Sequence, residues 1–484
     1  MANWLKRKTV GHIQPHEKDR QLARTLAWPH LIALGIGGIV GTGIYTLIGV
    51  GADRAGPAVL LAFVIAGFIS AFSAFAYAEL ATMIPVSGGA YTYTYVAFGE
   101  VLAWIVGWSL ILEYSLVVST VAVGWSAYVV GFLDGLGVNL PYWLRAGMDS
   151  VDPVTNAHGL INLPAVFIVF AVAGMLIVGT KESATLNSIL VVIKIAALLL
   201  FVVVALPHFK PENLQPFMPF GFVKTLSPDG VERGVMAAAA IIFFAFYGFD
   251  TIATASEETK NPKRDLSIGI IGSLVGCIIV YILVGLAAVG AVHYTFFIHS
   301  AEPLALILRD LNSGITATII AAAAVVALPT VLLAFFYGQT RVFFAMGRDG
   351  LLPRSLSRVN SKTGTPVVTT IFTAVITAFF ASIARLDEIA ALANAGTLMA
   401  FTAAVGCLLA LRILEPKVLR EFRAPGAWVM SPLVIFGCVY LFWSLPSKTQ
   451  YWFLIWNIAG IVFYFAYGHR ASVMRKSSAD SQPG

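Results

Sequence analysis

Charge is what this sequence lacks. Of its 484 residues only 12% are Asp, Glu, Lys or Arg, about half the proportion of an ordinary soluble domain. So little charge cannot cover the surface of a water-soluble chain with 58% hydrophobic residues and a mean hydropathy of +0.84. Cysteine is scarce too. Cys277, Cys407 and Cys438 all lie inside apolar runs, which argues against a disulfide framework and reads them as small buried hydrophobes. The first 28 residues carry Lys6-Arg7-Lys8 and polar residues as far as Arg24. They lack the early apolar core of a cleaved leader, so targeting is expected to fall to the first membrane helix. A formal charge of +6 is no nucleic-acid footprint here, because the bases are divided among short segments.

Long apolar runs are what the sequence has instead, and they predict an all-α, polytopic membrane protein. Twelve runs are read, over residues 29–51, 57–82, 98–131, 161–179, 186–206, 234–256, 267–291, 314–340, 366–384, 388–411, 427–445 and 450–468. The third and eighth exceed the hydrocarbon thickness and are expected to tilt or to extend beyond it. Segments 1–28, the even-numbered loops and 469–484 hold 22 of the 31 Lys and Arg, the other loops eight, and Lys194 lies inside a run. That bias places both termini in the cytoplasm. Leu22, Leu26 and Trp28 around Arg24 fit a short interfacial helix in the N-terminal arm, or a disordered arm. Residues 132–160, with Asp134, Asp149, Asp152 and Arg145, read as an external loop with room for a short helix. Residues 207–233 are either a cover over an external vestibule or a mere connection, and 475–484 are expected to be a frayed tail.

The first run organises the rest. Residues 33–50 read ALGIGGIVGTGIYTLIGV, with glycine at 35, 37, 38, 41, 43 and 49. Gly41-Thr42-Gly43 falls near mid-run, where lost backbone entropy weakens a helix. Gly37 and Gly41 fit small-xxx-small helix packing; alternatively the helix is broken and its exposed backbone holds a polar ligand at mid-membrane. The sixth run repeats the pattern, with Gly248 in FFAFYGFD (243–250) followed by Asp250, an acid that must face protein or a hydrated cavity. The first and sixth runs correspond if 29–206 and 234–411 are two five-helix inverted halves. Broken helices expose N–H groups at one half-helix start and C=O groups at the other's end. Opposed sets of that kind suit the carboxylate and ammonium of an amino acid.

Few polar residues lie inside the other runs. Glu79 closes the second and reads as a gate, a proton-responsive group or an ordinary edge acid. Glu113, in WSLILEYSL (108–116), is deeper and should pair, take a proton or face water, selecting a basic substrate or helping proton movement. Lys194, in NSILVVIKIAA (187–197), cannot readily snorkel from mid-run; it is titratable, a stand-in for a structural cation, or one half of a structural pair. Residues 339–353 continue the eighth helix onto the surface and stop at glycine and proline, with positive charge for topology, lipid contact or gating. Asn394 and Thr397 line a cavity or support helix packing.

Taken together these stretches resemble the amino acid–polyamine–organocation superfamily, particularly the bacterial relatives of cationic amino acid transporters. The resemblance covers most of residues 24–425. It rests on GIGGIVGTGIY (35–45), AYAELATMIPVSGGAYTY (76–93) followed by FGE (98–100) and WIVGW (104–108), FFAFYGFD (243–250), EETKNPKRD (257–265) and RVFFAMGRDGLLP (341–353). It implies a ten-helix inverted-repeat core of the LeuT type, with accessory helices over 427–468. It also implies that Gly41, Thr42 and Gly43 meet the substrate carboxylate, bordered by Ile39 and Val40. Phe243, Phe244, Ala245 and Phe246 would bring carbonyls to the amino group, with Tyr247 and the phenylalanines as gate or side-chain pocket. Lys194 matches a lysine that occupies the region of a sodium site in proton-coupled relatives.

The resulting expectation is import of L-amino acids by alternating access with proton symport, across a bacterial inner membrane. Cationic arginine or lysine leads as substrate, with Glu113 complementing its charge, and Lys194, Glu79 and Asp250 serve coupling or gating. A broad or small-neutral (alanine) symporter, an exchanger, and a non-transporting receptor are the alternatives. No enzyme chemistry, cofactor, metal or nucleic acid is expected. Membrane lipid or sterol and a small membrane subunit remain open as partners.

Overall fold

The computed structural model describes residues 26–135, 137–148, 150–152, 155–178, 183–358, 360 and 366–475. Leu22, Arg24, Asp149 and the last nine residues lie outside them. Among the described residues, nine helical stretches are long and apolar enough to cross a membrane, and three shorter apolar helices join them. The protein is therefore all-α and polytopic.

The first run is not one helix. It forms α1 (Trp28–Ile39), α2 (Thr42–Tyr45) and α3 (Leu47–Ala55), with Val40 and Gly41 extended between the first two. Pro29 suits the first turn of α1, where its missing N–H has no partner to lose. Leu26, expected in an interfacial helix, is instead extended. Its N–H donates to Glu258 O at 3.0 Å and its carbonyl accepts from Lys260 N–H at 2.8 Å.

The second and third runs become α4 (Val59–Met83), a short α5 (Ala90–Phe98) and the 36-residue α6 (Glu100–Gly135). After α7 (Tyr142–Arg145), one turn inside the expected loop, come α8 (Leu163–Val178) and α9 (Ser183–Ala205). The sixth run is broken like the first: α10 (Val235–Ile242), a 3-10 turn over Phe243–Phe246, then α11 (Asp250–Thr254). There follow α12 (Pro262–Ala291), α13 (Pro303–Asp310), α14 (Gly314–Ala327), α15 (Pro329–Arg348), α16 (Val367–Ile383) and α17 (Leu386–Leu414). Last come α18 (Ala427–Ser444), α19 (Ser447–Phe463), a π turn and α20 (His469–Ala471).

The broken helices sit at the centre. α1 packs on α9, α12 and α15, and α10 on α3 and α4, while α6 lies along α15 and α17. Every residue from Val235 to Thr254 is buried. α19 is clasped to α6 by indoles: Trp108 Nε1 donates to Trp456 O at 2.9 Å, Trp456 Nε1 to Trp108 O at 3.0 Å, and Trp104 Nε1 to Gly460 O at 2.8 Å.

Residues 207–233 fold back onto the neighbouring helix ends. Lys210 N donates to Gly290 O at 2.9 Å and Ala58 N to Phe217 O at 2.9 Å. A small hairpin of β1 (Thr225–Leu226) and β2 (Glu232–Arg233) is pinned to the end of α3 by Arg54 on Glu232 O and Arg233 on Asp53. At the other face, Glu258 receives Arg341 at 2.9 Å and the Tyr337 hydroxyl, while Glu257 accepts from the Ser87 amide at 2.9 Å. Arg341, in the patch expected to meet lipid or anchor topology, is buried and stacks 4.1 Å over the Tyr337 ring. Buried Glu100 accepts from Tyr95 at 2.8 Å, Tyr464 at 2.7 Å, Ser472 at 2.5 Å and Arg475 at 3.1 Å. The segment after α19 thus docks on the first turn of α6.

Candidate substrate site

Two helix breaks meet backbone to backbone because glycine occupies the crossing points. A Cβ added at Gly43 would stand 2.4 Å from Ala245 Cα, and one at Gly248 would stand 2.7 Å from the Gly38 carbonyl carbon. Gly248 also has φ +123°, a conformation that a side chain disfavours. Close packing and helix breakage, alternatives in the sequence, are here the same feature.

Thr42 and Gly43 open α2, so their N–H groups have no intrahelical acceptor. The Thr42 hydroxyl beside them is buried without a hydrogen-bond partner. On the opposing strand of the site, Phe243–Phe246 end the half-helix, and among the described residues no side-chain donor reaches their carbonyls. The neighbouring carbonyls are already occupied. Gly37 O and Val40 O each accept from Lys194 Nζ at 2.8 Å, Ile39 O from the Tyr281 hydroxyl at 2.8 Å, and Ala240 O and Ile241 O from Asn394 Nδ2 at 2.7 and 3.1 Å.

A small cavity lies at this junction, lined by Gly38, Ile39, Gly41, Thr42, Gly43, Phe244 and Tyr247. Val117 and Val121 of α6 and Val331 and Phe335 of α15 complete it. Its side-chain wall is apolar apart from Thr42 and Tyr247. Those four residues carry no sequence signal, since valines facing a ligand look like valines facing another helix. Tyr281 and Thr330 were open to detection as polar residues inside apolar runs.

Lys194 is fully buried. Its third contact is Thr330 Oγ1 at 2.8 Å, so the ammonium is held by three oxygens from α1, the helix break and α15. Bound cations are commonly surrounded by oxygens in this way. Asp250 caps the second break: its carboxylate accepts Gly248 N–H at 3.0 Å and the Tyr114 hydroxyl at 2.5 Å. Glu113 is not among the residues that line the cavity. Both its oxygens are buried and, among the described residues, have no hydrogen-bond partner. Its electrostatic neighbours are Asp250, Tyr77, Tyr114 and Tyr247, none of them basic.

Glu79 stands apart from these groups. It is fully buried, but Arg412 grips both its oxygens at 3.1 and 2.6 Å, Arg420 approaches to 3.1 Å, and the Ala424 amide donates at 2.7 Å. The structure thus joins Ile39–Gly43, Phe243–Tyr247, Lys194 and Asp250 in one region, keeps Glu113 out of the cavity lining, and leaves Glu79 at the α4–α17 contact.

Comparison with known proteins gives the family. Residues 26–464 match the family model described as amino acid permease. The chain is 44% identical over 458 residues to the branched-chain amino acid permease BcaP of Bacillus subtilis, covering 95% of this chain and 96% of that one. It is 38% identical over 478 residues to the methylthioribose transporter of the same organism, covering 98% and 100%. It is also 38% identical over 413 residues to cationic amino acid transporter 3, mitochondrial, of Arabidopsis thaliana, covering 84% of this chain and 65% of that one. The chain belongs to the amino acid permease family of the amino acid–polyamine–organocation superfamily, a family of transporters and not of enzymes.

Proposed function

We propose that this chain imports L-amino acids with uncharged, branched side chains, by alternating access in symport with protons. One observation carries the substrate class: the cavity wall is Val117, Val121, Val331, Phe244 and Phe335, and Glu113 is outside it. An apolar wall favours an aliphatic side chain and leaves a guanidinium or ammonium without a partner. The name of the Bacillus subtilis branched-chain permease, similar over nearly its whole length, supports the same class.

The backbone end of the substrate is met by the start of α2 and the end of the 243–246 turn. The carboxylate faces the N–H groups of Thr42 and Gly43 and the Thr42 hydroxyl. The ammonium faces the carbonyls of Phe243–Phe246. Lys194 supports protons as the driving ion, because its ammonium already fills an oxygen cage that a sodium ion would need. Glu113, buried without a basic neighbour, is balanced most simply by a proton. Asp250 holds the joint of the second broken helix. In this reading twelve spans form inverted halves over 29–206 and 234–411, with α18 and α19 as accessory helices. Both termini face the cytoplasm of a bacterial inner membrane, and Arg341–Glu258 closes that side.

A second reading keeps cationic substrates. The unpaired Glu113 carboxylate and the Arabidopsis relatives named cationic amino acid transporters favour it. Purified protein in liposomes separates the two: uptake of leucine, isoleucine, alanine, arginine and lysine is measured under imposed pH, sodium and counter-substrate gradients. Leucine or isoleucine uptake driven by an inward proton gradient is the expected result. Arginine and lysine as the preferred substrates would overturn the side-chain assignment. Sodium-driven uptake indifferent to pH would overturn the coupling, and flux only against an internal amino acid would make the protein an exchanger.

A further inference from the structure

Among the buried polar atoms without a hydrogen-bond partner, three belong to one place: the Tyr247 hydroxyl and both oxygens of Glu113. Tyr247 is 1% exposed and sits where the second broken helix leaves its 3-10 turn, followed at once by Gly248. Its ring forms part of the cavity wall, 4.9 Å from the Phe244 ring and 6.1 Å from that of Phe335, centroid to centroid. Its hydroxyl shares a fully buried environment with Glu113 and Asp250. The Thr397 hydroxyl lies near both Tyr247 and Glu113 but donates to Ala393 O at 3.3 Å. Asp250 is already engaged by Tyr114 and the Gly248 amide. Tyr247 thus packs its ring on two cavity-wall rings and keeps an unpartnered hydroxyl in the same buried acidic surroundings as Glu113.

We propose that Tyr247 is the positioning residue that links occupancy of the cavity to the proton on Glu113. The inference rests on the proton-symport reading above. A carboxylate can only accept a hydrogen bond, whereas a carboxylic acid also donates one. With Glu113 ionised, the Tyr247 O–H turns toward it and donates. With Glu113 carrying a proton, the carboxyl O–H is satisfied by Thr397 or by the phenol oxygen, and the ring is released toward the cavity. The ring position thereby differs between the two proton states, and the ring is a wall of the substrate cavity. A substrate that favours one ring position changes the proton affinity of Glu113 by the factor with which the proton changes substrate affinity. No proton leaves Tyr247; the transferred proton stays on the Glu113 carboxyl until it is released to water. The groups facing this pair are Asp250, Tyr77, Tyr114 and Thr397, with no Lys or Arg among them.

Tyr247→Phe tests the link, since it keeps the ring and removes only a hydroxyl that has no partner, a change that leaves folding intact. In liposomes the KM for leucine is measured across acidic to basic external pH for the wild type, Y247F, E113Q and the double variant. For the wild type a change of about fivefold or more across the range is expected, the lower end of ordinary coupling. The Y247F profile is expected to flatten to less than about twofold, with the double variant no flatter than E113Q alone. In weakly buffered detergent solution, leucine is expected to displace protons to or from the wild type and not Y247F. A pH-dependent wild type with an unaltered Y247F profile overturns the link and leaves proton symport standing. So does a Y247F that loses rate equally at every pH, because that is a structural ring effect. A wild type without pH dependence removes proton symport, and the link with it.

Discussion

Replacing Glu79 separates a structural acid from a proton carrier. Its carboxylate is buried completely and accepts from Arg412 Nε at 3.1 Å, Arg412 Nη2 at 2.6 Å and the Ala424 amide at 2.7 Å, with Arg420 Nε at 3.1 Å. Both arginine side chains are less than a tenth exposed. Glu79→Ala takes the carboxylate acceptor from the Arg412 guanidinium and the Ala424 amide and the counter-charge from Arg420, and breaking a buried pair from one side costs about 3–5 kcal/mol. Glu79→Gln keeps one oxygen but removes the charge, so roughly half that loss is expected, about 1.5–3 kcal/mol for a charge-assisted bond. The assay is the apparent melting temperature of purified protein in detergent, read at a fixed scan rate because unfolding is irreversible for many such proteins. E79A should melt about 3–5 °C below the wild type and E79Q by a smaller amount. Surviving E79Q should take up leucine with the wild-type pH profile. An E79Q that melts with the wild type while its pH profile flattens would refute the reasoning and make Glu79 part of the proton path.

Further outcomes follow from the site. Gly43→Ala should abolish uptake, since its Cβ would stand 2.4 Å from the Ala245 backbone; Gly276→Ala, which meets nothing within 4 Å, should transport normally. Lys194→Met removes the donor to Gly37 O, Val40 O and Thr330 Oγ1, so uptake should no longer follow a proton gradient; retained pH-driven accumulation would sink its coupling role. Val331→Phe should exclude isoleucine before alanine in competition uptake, because Val331 stands against Gly41 in the cavity; unchanged selectivity would remove it from the substrate pocket. Trp456→Phe keeps the ring stack on Trp108 but loses its bond to Trp108 O, a destabilisation of about 1 kcal/mol readable as a small shift in melting temperature.

The helix breaks were legible because glycine is costly in a helix, and six of them within residues 33–50 need a reason. Lys194 was legible for the same kind of reason, a charge where hydrocarbon should be. What it holds was not: its partners are some 150 residues away in α1 and 136 away in α15. Glu79 shows the limit from the other side. A lone acid at a helix end reads the same whether it gates or staples, and its partner Arg412 is 333 residues distant. Glu113 was placed correctly inside a membrane run, yet depth does not say which face of α6 it occupies. The cavity wall of Val117, Val121, Val331 and Phe335 was invisible, because packing side chains and ligand-facing side chains are drawn from one alphabet. Leu26 is extended because its backbone pairs with Glu258 and Lys260, a tertiary contact that no local periodicity announces.

The docking of the segment after α19 on Glu100 has a practical side for anyone who handles the protein. Ser472 and Arg475 supply two of the donors to that buried carboxylate, and Val473 N donates to Asp349 O at 3.0 Å. A chain cut after Gly468 would keep every long apolar helix and still leave Glu100 with Tyr95 and Tyr464 alone. Purification tags and reporter fusions therefore belong beyond Arg475. Shortened versions ending before Ser472 should give lower yield and a broader gel-filtration peak than those ending after Arg475.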